Sequence, residues 1–206
     1  AGAFKVYIST TFGTLTKNKA TDLEKLNAVD QWVDISDLCN LPTASSKVTK
    51  ASSVSLSDYL GKPLVLAFVY KPLNTTTVQP TWEIQNLEIV NTLKKTGVDT
   101  KLPAVSMGFT PFDIYADESI AYLYYKAGIQ PLASGVWADA NISATVPRLR
   151  IQSSSANTAL NEDWLISAPL TLNSCLPDKG LSIKTTTIGL DSYTYRYDRE
   201  GVYEVT

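Results

Sequence analysis

One absence limits the chemistry open to this chain: none of its 206 residues is a histidine. Without an imidazole to carry the proton, a Ser–His–Asp triad and a Cys–His pair are both excluded. The acids fall into loose groups: Asp34 with Asp37, Asp113 with Asp117 and Glu118, Glu162 with Asp163, and Asp198 with Glu200. Paired carboxylates can cleave a glycosidic bond, but these stand in loop contexts with no recognisable motif, which suits a solvated surface better. Acidic loops also suit hard cations, yet no EF-hand spacing occurs. Two thiols without histidine do not make a zinc site. The chain therefore reads as a non-enzyme, with no catalytic residue, no metal site and no cofactor.

What remains is stacking and cross-linking. Tyr122, Tyr124 and Tyr125 crowd into one stretch, Ser119 to Tyr125, that fits a strand or a short helix. They offer a platform for sugar rings or, on a plainer reading, they pack at the edge of a sandwich. Trp137 follows the turn-like Ser134-Gly135-Val136 and is the candidate for an exposed, ligand-stacking ring. Trp32, Trp82 and Trp164 read as core. Cys39 and Cys175 lie in loop-like contexts ending in Leu-Pro, and can join in a disulfide if the compartment is oxidising and the loops meet. Arg148 and Arg150 flank Leu149 on an alternating stretch, which places both on one solvent-facing side of a strand.

Composition narrows the partners. The formal net charge of −2 gives no electrostatic argument for nucleic acid. No run approaches the roughly 18 apolar residues of a membrane span. Charged residues make up only 18% of the chain while Ser and Thr abound, a balance common in secreted β proteins. The chain starts without a Met or a signal peptide, so Ala1 reads as a processed end or a chosen boundary.

The elements that must position these residues centre on Val54 to Ile89. Leu64 to Tyr70 is a short apolar run fenced by Gly61-Lys62-Pro63 and Lys71-Pro72, the pattern of a strand buried on both faces. Trp82, Ile84, Leu87 and Ile89 supply a further strand, with a break at Asn86. Thr21, with Glu24 three residues on and Leu23 and Leu26 spaced for one face, predicts a short helical turn inserted between strands. Residues 92–104, with Lys94-Lys95, Gly97 and Pro103, lose periodicity and read as a linker.

The words Leu56-Ser57-Asp58-Tyr59-Leu60-Gly61-Lys62, Leu66-Ala67-Phe68-Val69-Tyr70 and Trp82 to Ile89 resemble the closing half of cleaved-adhesin or choice-of-anchor J domains. These are jelly rolls found in secreted and surface proteins of Bacteroidetes. Lys5 to Thr11 and Trp32 to Ser36 look like the strands that precede that half. Asp163-Trp164-Leu165-Ile166-Ser167-Ala168-Pro169 and Leu181 to Thr185 look like the opening half, yet here they follow the closing one. The resemblance implies an all-β, jelly-roll-like β-sandwich, extracellular or at the cell surface, in which a Cys39–Cys175 disulfide is expected. It divides the chain into a closing half (1–91), the linker (92–104) and an opening half (105–206). Either one molecule is a permuted sandwich, or each half is completed by strands of a neighbouring subunit. The second alternative implies a non-catalytic structural or adhesive subunit assembling head to tail with copies of itself into a surface filament. The rival is a monomeric module that binds surface glycans.

Overall fold

Seven consecutive residues, Leu64 to Tyr70, are buried, and the architecture follows from what covers their two faces. The computed structural model describes residues 4–43, 48–71, 80–115, 137–138, 148–151 and 161–172. In chain order these form β1 (Phe4–Ser9), α1 (Lys19–Leu26), β2 (Val33–Asp34), β3 (Pro63–Tyr70), β4 (Trp82–Gln85), β5 (Glu88–Leu93) and β6 (Val98–Pro103). There follow β7 (Thr110–Tyr115), β8 (Trp137–Ala138), β9 (Arg148–Ile151), β10 (Asn161–Ile166) and β11 (Leu170–Thr171).

The main sheet runs β2-β1-β3-β10-β7, with β11 on β3 as well. A second sheet runs β4-β9-β8, and β5-β6 is a separate ribbon. All the strand pairs are antiparallel. Residues alternate between faces along a strand, so one row of the main sheet (Phe4, Val6, Ile8, Leu64, Leu66, Phe68, Tyr70, Leu165) packs with Leu149 and Ile151 of the second sheet. Phe4 of β1 and Trp82 of β4 stack at 4.5 Å across that interior. The other row (Val65, Ala67, Val69, Trp164, Ile166) is covered by Phe12 and by Leu26 of α1. The fold is an all-β sandwich, and a strand covered on both faces must be apolar throughout, as the sequence of β3 suggests.

Two serines extend the ladders where they falter. Ser36 Oγ accepts from Val6 N at 2.9 Å just past β2. Between β10 and β11, where Pro169 has no N–H to give, Ser167 Oγ accepts from Leu66 N at 2.9 Å.

Three expectations are refined. The helix begins before Thr21: Asn18 is its cap, with Oδ1 accepting from Thr21 N at 3.2 Å. Residues 92–104 are not loose in the structure. They complete the β5-β6 ribbon, in register from Glu88↔Pro103 to Leu93↔Val98. Lys94 to Gly97 close it, with Gly97 at φ +67° donating to Leu93 O at 2.8 Å. Finally, β10, expected in the opening half, pairs with β3 of the closing half, Asp163↔Tyr70 to Ile166↔Ala67, within one chain. Asn86 does break the period as expected, with φ +52° between β4 and β5.

Candidate functional site

Of the residues expected to bind a ligand, Tyr122, Tyr124 and Tyr125 lie outside the described residues. Trp137 opens β8 with its Cα in register with Ile151, and its side chain is likewise outside them. Cys39 is half-buried and free, while Cys175 lies outside the described residues. Burial pushes the Cys39 thiol up, against the hydrogen bond of Ser52 that pulls it down.

The described residues bring a different group together. On the outward row of the main sheet, Tyr7 of β1 stacks on Trp164 of β10, ring centroids 5.7 Å apart and 20° from parallel. Trp32, just before β2, packs against Trp164 at 5.2 Å and Phe12 at 4.9 Å. Trp164 is buried, whereas Tyr7 and Trp32 stay partly exposed and form a ridge. The Trp32 indole Nε1 is sealed from water and has no hydrogen-bond acceptor among the described residues.

Two ion pairs border the ridge. Lys5 Nζ meets Asp34 Oδ2 at 3.0 Å, and Lys71 Nζ meets Glu162 Oε2 at 2.8 Å. Glu162 also accepts from Trp164 Nε1 at 2.8 Å through its other oxygen. Tyr7 feels all four charges: burial raises its phenol pKa first, Asp34 and Glu162 raise it further, and Lys5 and Lys71 pull it down. Burial also pushes the Asp34 carboxyl up, but hydrogen bonds from Ser36 and Lys5 outweigh it and the net shift is downward. The phenol is thus held neutral, and Asp34 charged, at neutral pH. Partly exposed aromatic faces beside fixed donors and acceptors can stack a sugar ring and hydrogen-bond its hydroxyls.

Sequence alone assigns Trp32 and Trp164 to the core and does not single out Tyr7, Lys5 or Lys71. Their grouping depends on β1 and β10 flanking β3, with Tyr7↔Ala67 and Ala67↔Ile166 in register. The available local signal is Lys5-Val6-Tyr7, a polar-apolar-polar alternation that puts Lys5 and Tyr7 on one face.

Fold and site together define an antiparallel β-sandwich whose main sheet carries an aromatic ridge between two ion pairs. Residues 1–108 match the family described as Domain of unknown function (DUF5017), and the chain belongs to that family. The match holds Tyr7, Trp32, Lys5, Asp34 and Lys71, while Glu162 and Trp164 lie beyond it. No curated protein and no solved structure matches the chain.

Proposed function

We propose that the chain is a non-catalytic glycan-binding module of an extracellular or cell-surface adhesive protein. The observation behind this reading is the Tyr7–Trp32 ridge set between the Lys5–Asp34 and Lys71–Glu162 pairs. The resemblance to surface jelly rolls points the same way. One form of the alternative, a structural subunit joining copies of itself head to tail, has each sandwich borrow strands from its neighbour. Because β10 pairs with β3 in the same chain, the binding module is the better-supported of the two.

The test is a binding screen of neutral and acidic polysaccharides, followed by Tyr7→Leu and Trp32→Leu. Leucine keeps apolar volume under the ridge and removes the aromatic face. Each variant should weaken binding by about tenfold, roughly the worth of one stacked ring, with the melting temperature within a few degrees of the parent. A parent chain that binds no polysaccharide at millimolar sugar would sink the proposal.

A further inference from the structure

The second sheet carries its own polar cluster on the face away from the core. Along β9, Leu149 and Ile151 are 0% and 1% exposed, so Arg148 and Arg150, which alternate with them, share the outward face. On the neighbouring strand β4, Glu83 lies opposite Arg150 and Gln85 opposite Arg148.

This cluster is short of acceptors. Glu83 Oε1 stands 3.5 Å from Arg150 Nε and 3.7 Å from Arg148 Nη1. Both distances are long beside the roughly 2.7–2.9 Å of a charge-assisted hydrogen bond. The other oxygen, Oε2, accepts from Gln85 Nε2 at 3.1 Å. Two guanidinium groups bring about ten N–H donors, against about four lone-pair sites on one carboxylate. The shortfall is visible: Nε of Arg148 and Nε of Arg150 are both sealed from water, with no hydrogen-bond acceptor among the described residues. A buried donor without a partner destabilises a fold, so a group that offers acceptors here is favoured. The Nε atoms are sealed, but the arginine side chains as a whole keep 33% and 26% of their exposure, so a small group from solvent can reach their exposed parts. Among the described residues two positive charges stand against one negative, on a chain of net charge −2, which makes the cluster cationic.

We infer that Arg148 and Arg150 bind one oxyanion, the carboxylate or sulfate group of an acidic saccharide. The planar forks match such a group in geometry as well as charge. Glu83 holds the two side chains over the strand pair and competes with the ligand. The saccharide as source rests on the glycan-binding reading, whereas the oxyanion site does not.

The experiment follows arginine Nε–H signals by NMR on the full chain. There are only four arginines, Arg148, Arg150, Arg196 and Arg199, and Arg148→Lys and Arg150→Lys assign the two of interest. Sodium sulfate and sodium glucuronate, at ionic strength held constant with chloride, should shift those two signals saturably, and glucose should not. Glu83→Gln should tighten binding on the order of three- to tenfold by removing a nearby like charge. Arg150→Lys, which keeps the charge and loses the fork, should weaken it about fivefold or more. Equal shifts of all four signals, or shifts no larger than chloride gives, would overturn the site. Binding of both free anions without binding of a polyuronate would uphold the oxyanion site and overturn its saccharide source.

Discussion

Glu162 and Trp164, two residues apart on β10, are tied by a 2.8 Å hydrogen bond from the indole Nε1 to the carboxylate Oε1. The same carboxylate takes Lys71 on its other oxygen, but Lys71 is 64% exposed, and exposed ion pairs contribute only about 0–1 kcal/mol. The indole bond contributes more, because Trp164 is 6% exposed and water cannot fully replace the lost acceptor. Glu162→Ala should therefore cost about 1–3 kcal/mol, and Glu162→Gln, which keeps an acceptor, less than about 1 kcal/mol. Urea melts of the two variants check this. Equal losses would assign the effect to charge instead.

Asp22 is fully buried, at 0% exposure, and fastens the loop before α1. Its carboxylate accepts from Thr16 N at 2.9 Å, Thr16 Oγ1 at 2.8 Å and Lys17 N at 3.0 Å. Lys17 is held there at φ +65°, a conformation costly for a residue with a Cβ. Hydrogen bonds to a charged group contribute about 1.5–3 kcal/mol each and act here as one unit. Asp22→Ala should thus destabilise the chain by about 3–5 kcal/mol, the usual range for breaking a buried polar network. A loss below about 1 kcal/mol by calorimetry would show that the loop holds itself.

Tyr70 ends β3 at 2% exposure, and burial, with Asp163 adding to it, pushes its phenol up to about 12. The folded chain then holds this proton more tightly than the unfolded one, whose phenol titrates near 10. Stability is full below about pH 10 and falls as pH rises towards about 12, by roughly 1.4 kcal/mol per pH unit for one group. Tyr70→Phe should flatten part of that alkaline limb. Denaturant midpoints between pH 9 and 12 measure it, and parallel curves for parent and variant would contradict the assignment.

Cys39, half-buried against the core, has its thiol pushed up by burial. Since the thiolate is the reactive form, alkylation at pH 7.5 should run slower than for free cysteine and speed up on unfolding. Mass spectrometry over a time course reads the rate, and a free-cysteine rate in the native chain would refute this placement.

Local pattern and long-range pairing are not equally legible. β3 shows itself because burial on both faces leaves no polar position, from Leu64 to Tyr70. Asn86 marks its own break, since asparagine tolerates a positive φ. The segment after Asn91 misleads because Lys94-Lys95-Thr96-Gly97 erases periodicity in a four-residue hairpin turn as it would in a linker, and its ribbon is largely exposed. Half-exposed strands have little apolar signal. The ridge is illegible for another reason: Tyr7, Lys71 and Glu162 meet only because β1, β3 and β10 are neighbours, and no local spacing encodes that order.

That strand order also decides what the first residues do. Had the two parts of the chain belonged to different sandwiches, removing residues 1–8 would stop growth of a filament and leave each subunit intact. In the sheet, β1 lies between β2 and β3 and pairs with β3 at six positions, Phe4↔Tyr70 to Ser9↔Val65. It also buries Phe4, Val6 and Ile8, at 4%, 4% and 0% exposure. Losing three such side chains costs about 2–5 kcal/mol each, and the freed edge of β3 would be left unpaired. The sum approaches the whole stability of a domain, about 5–15 kcal/mol. A chain lacking residues 1–8 should therefore fail to melt cooperatively, and a peptide of residues 1–12 added in trans should restore part of the transition. The intact chain should scatter light as a 22.5 kDa particle over a hundredfold range of concentration. A truncated chain that melts like the parent, with the parent itself growing in mass with concentration, would return the head-to-tail filament to first place.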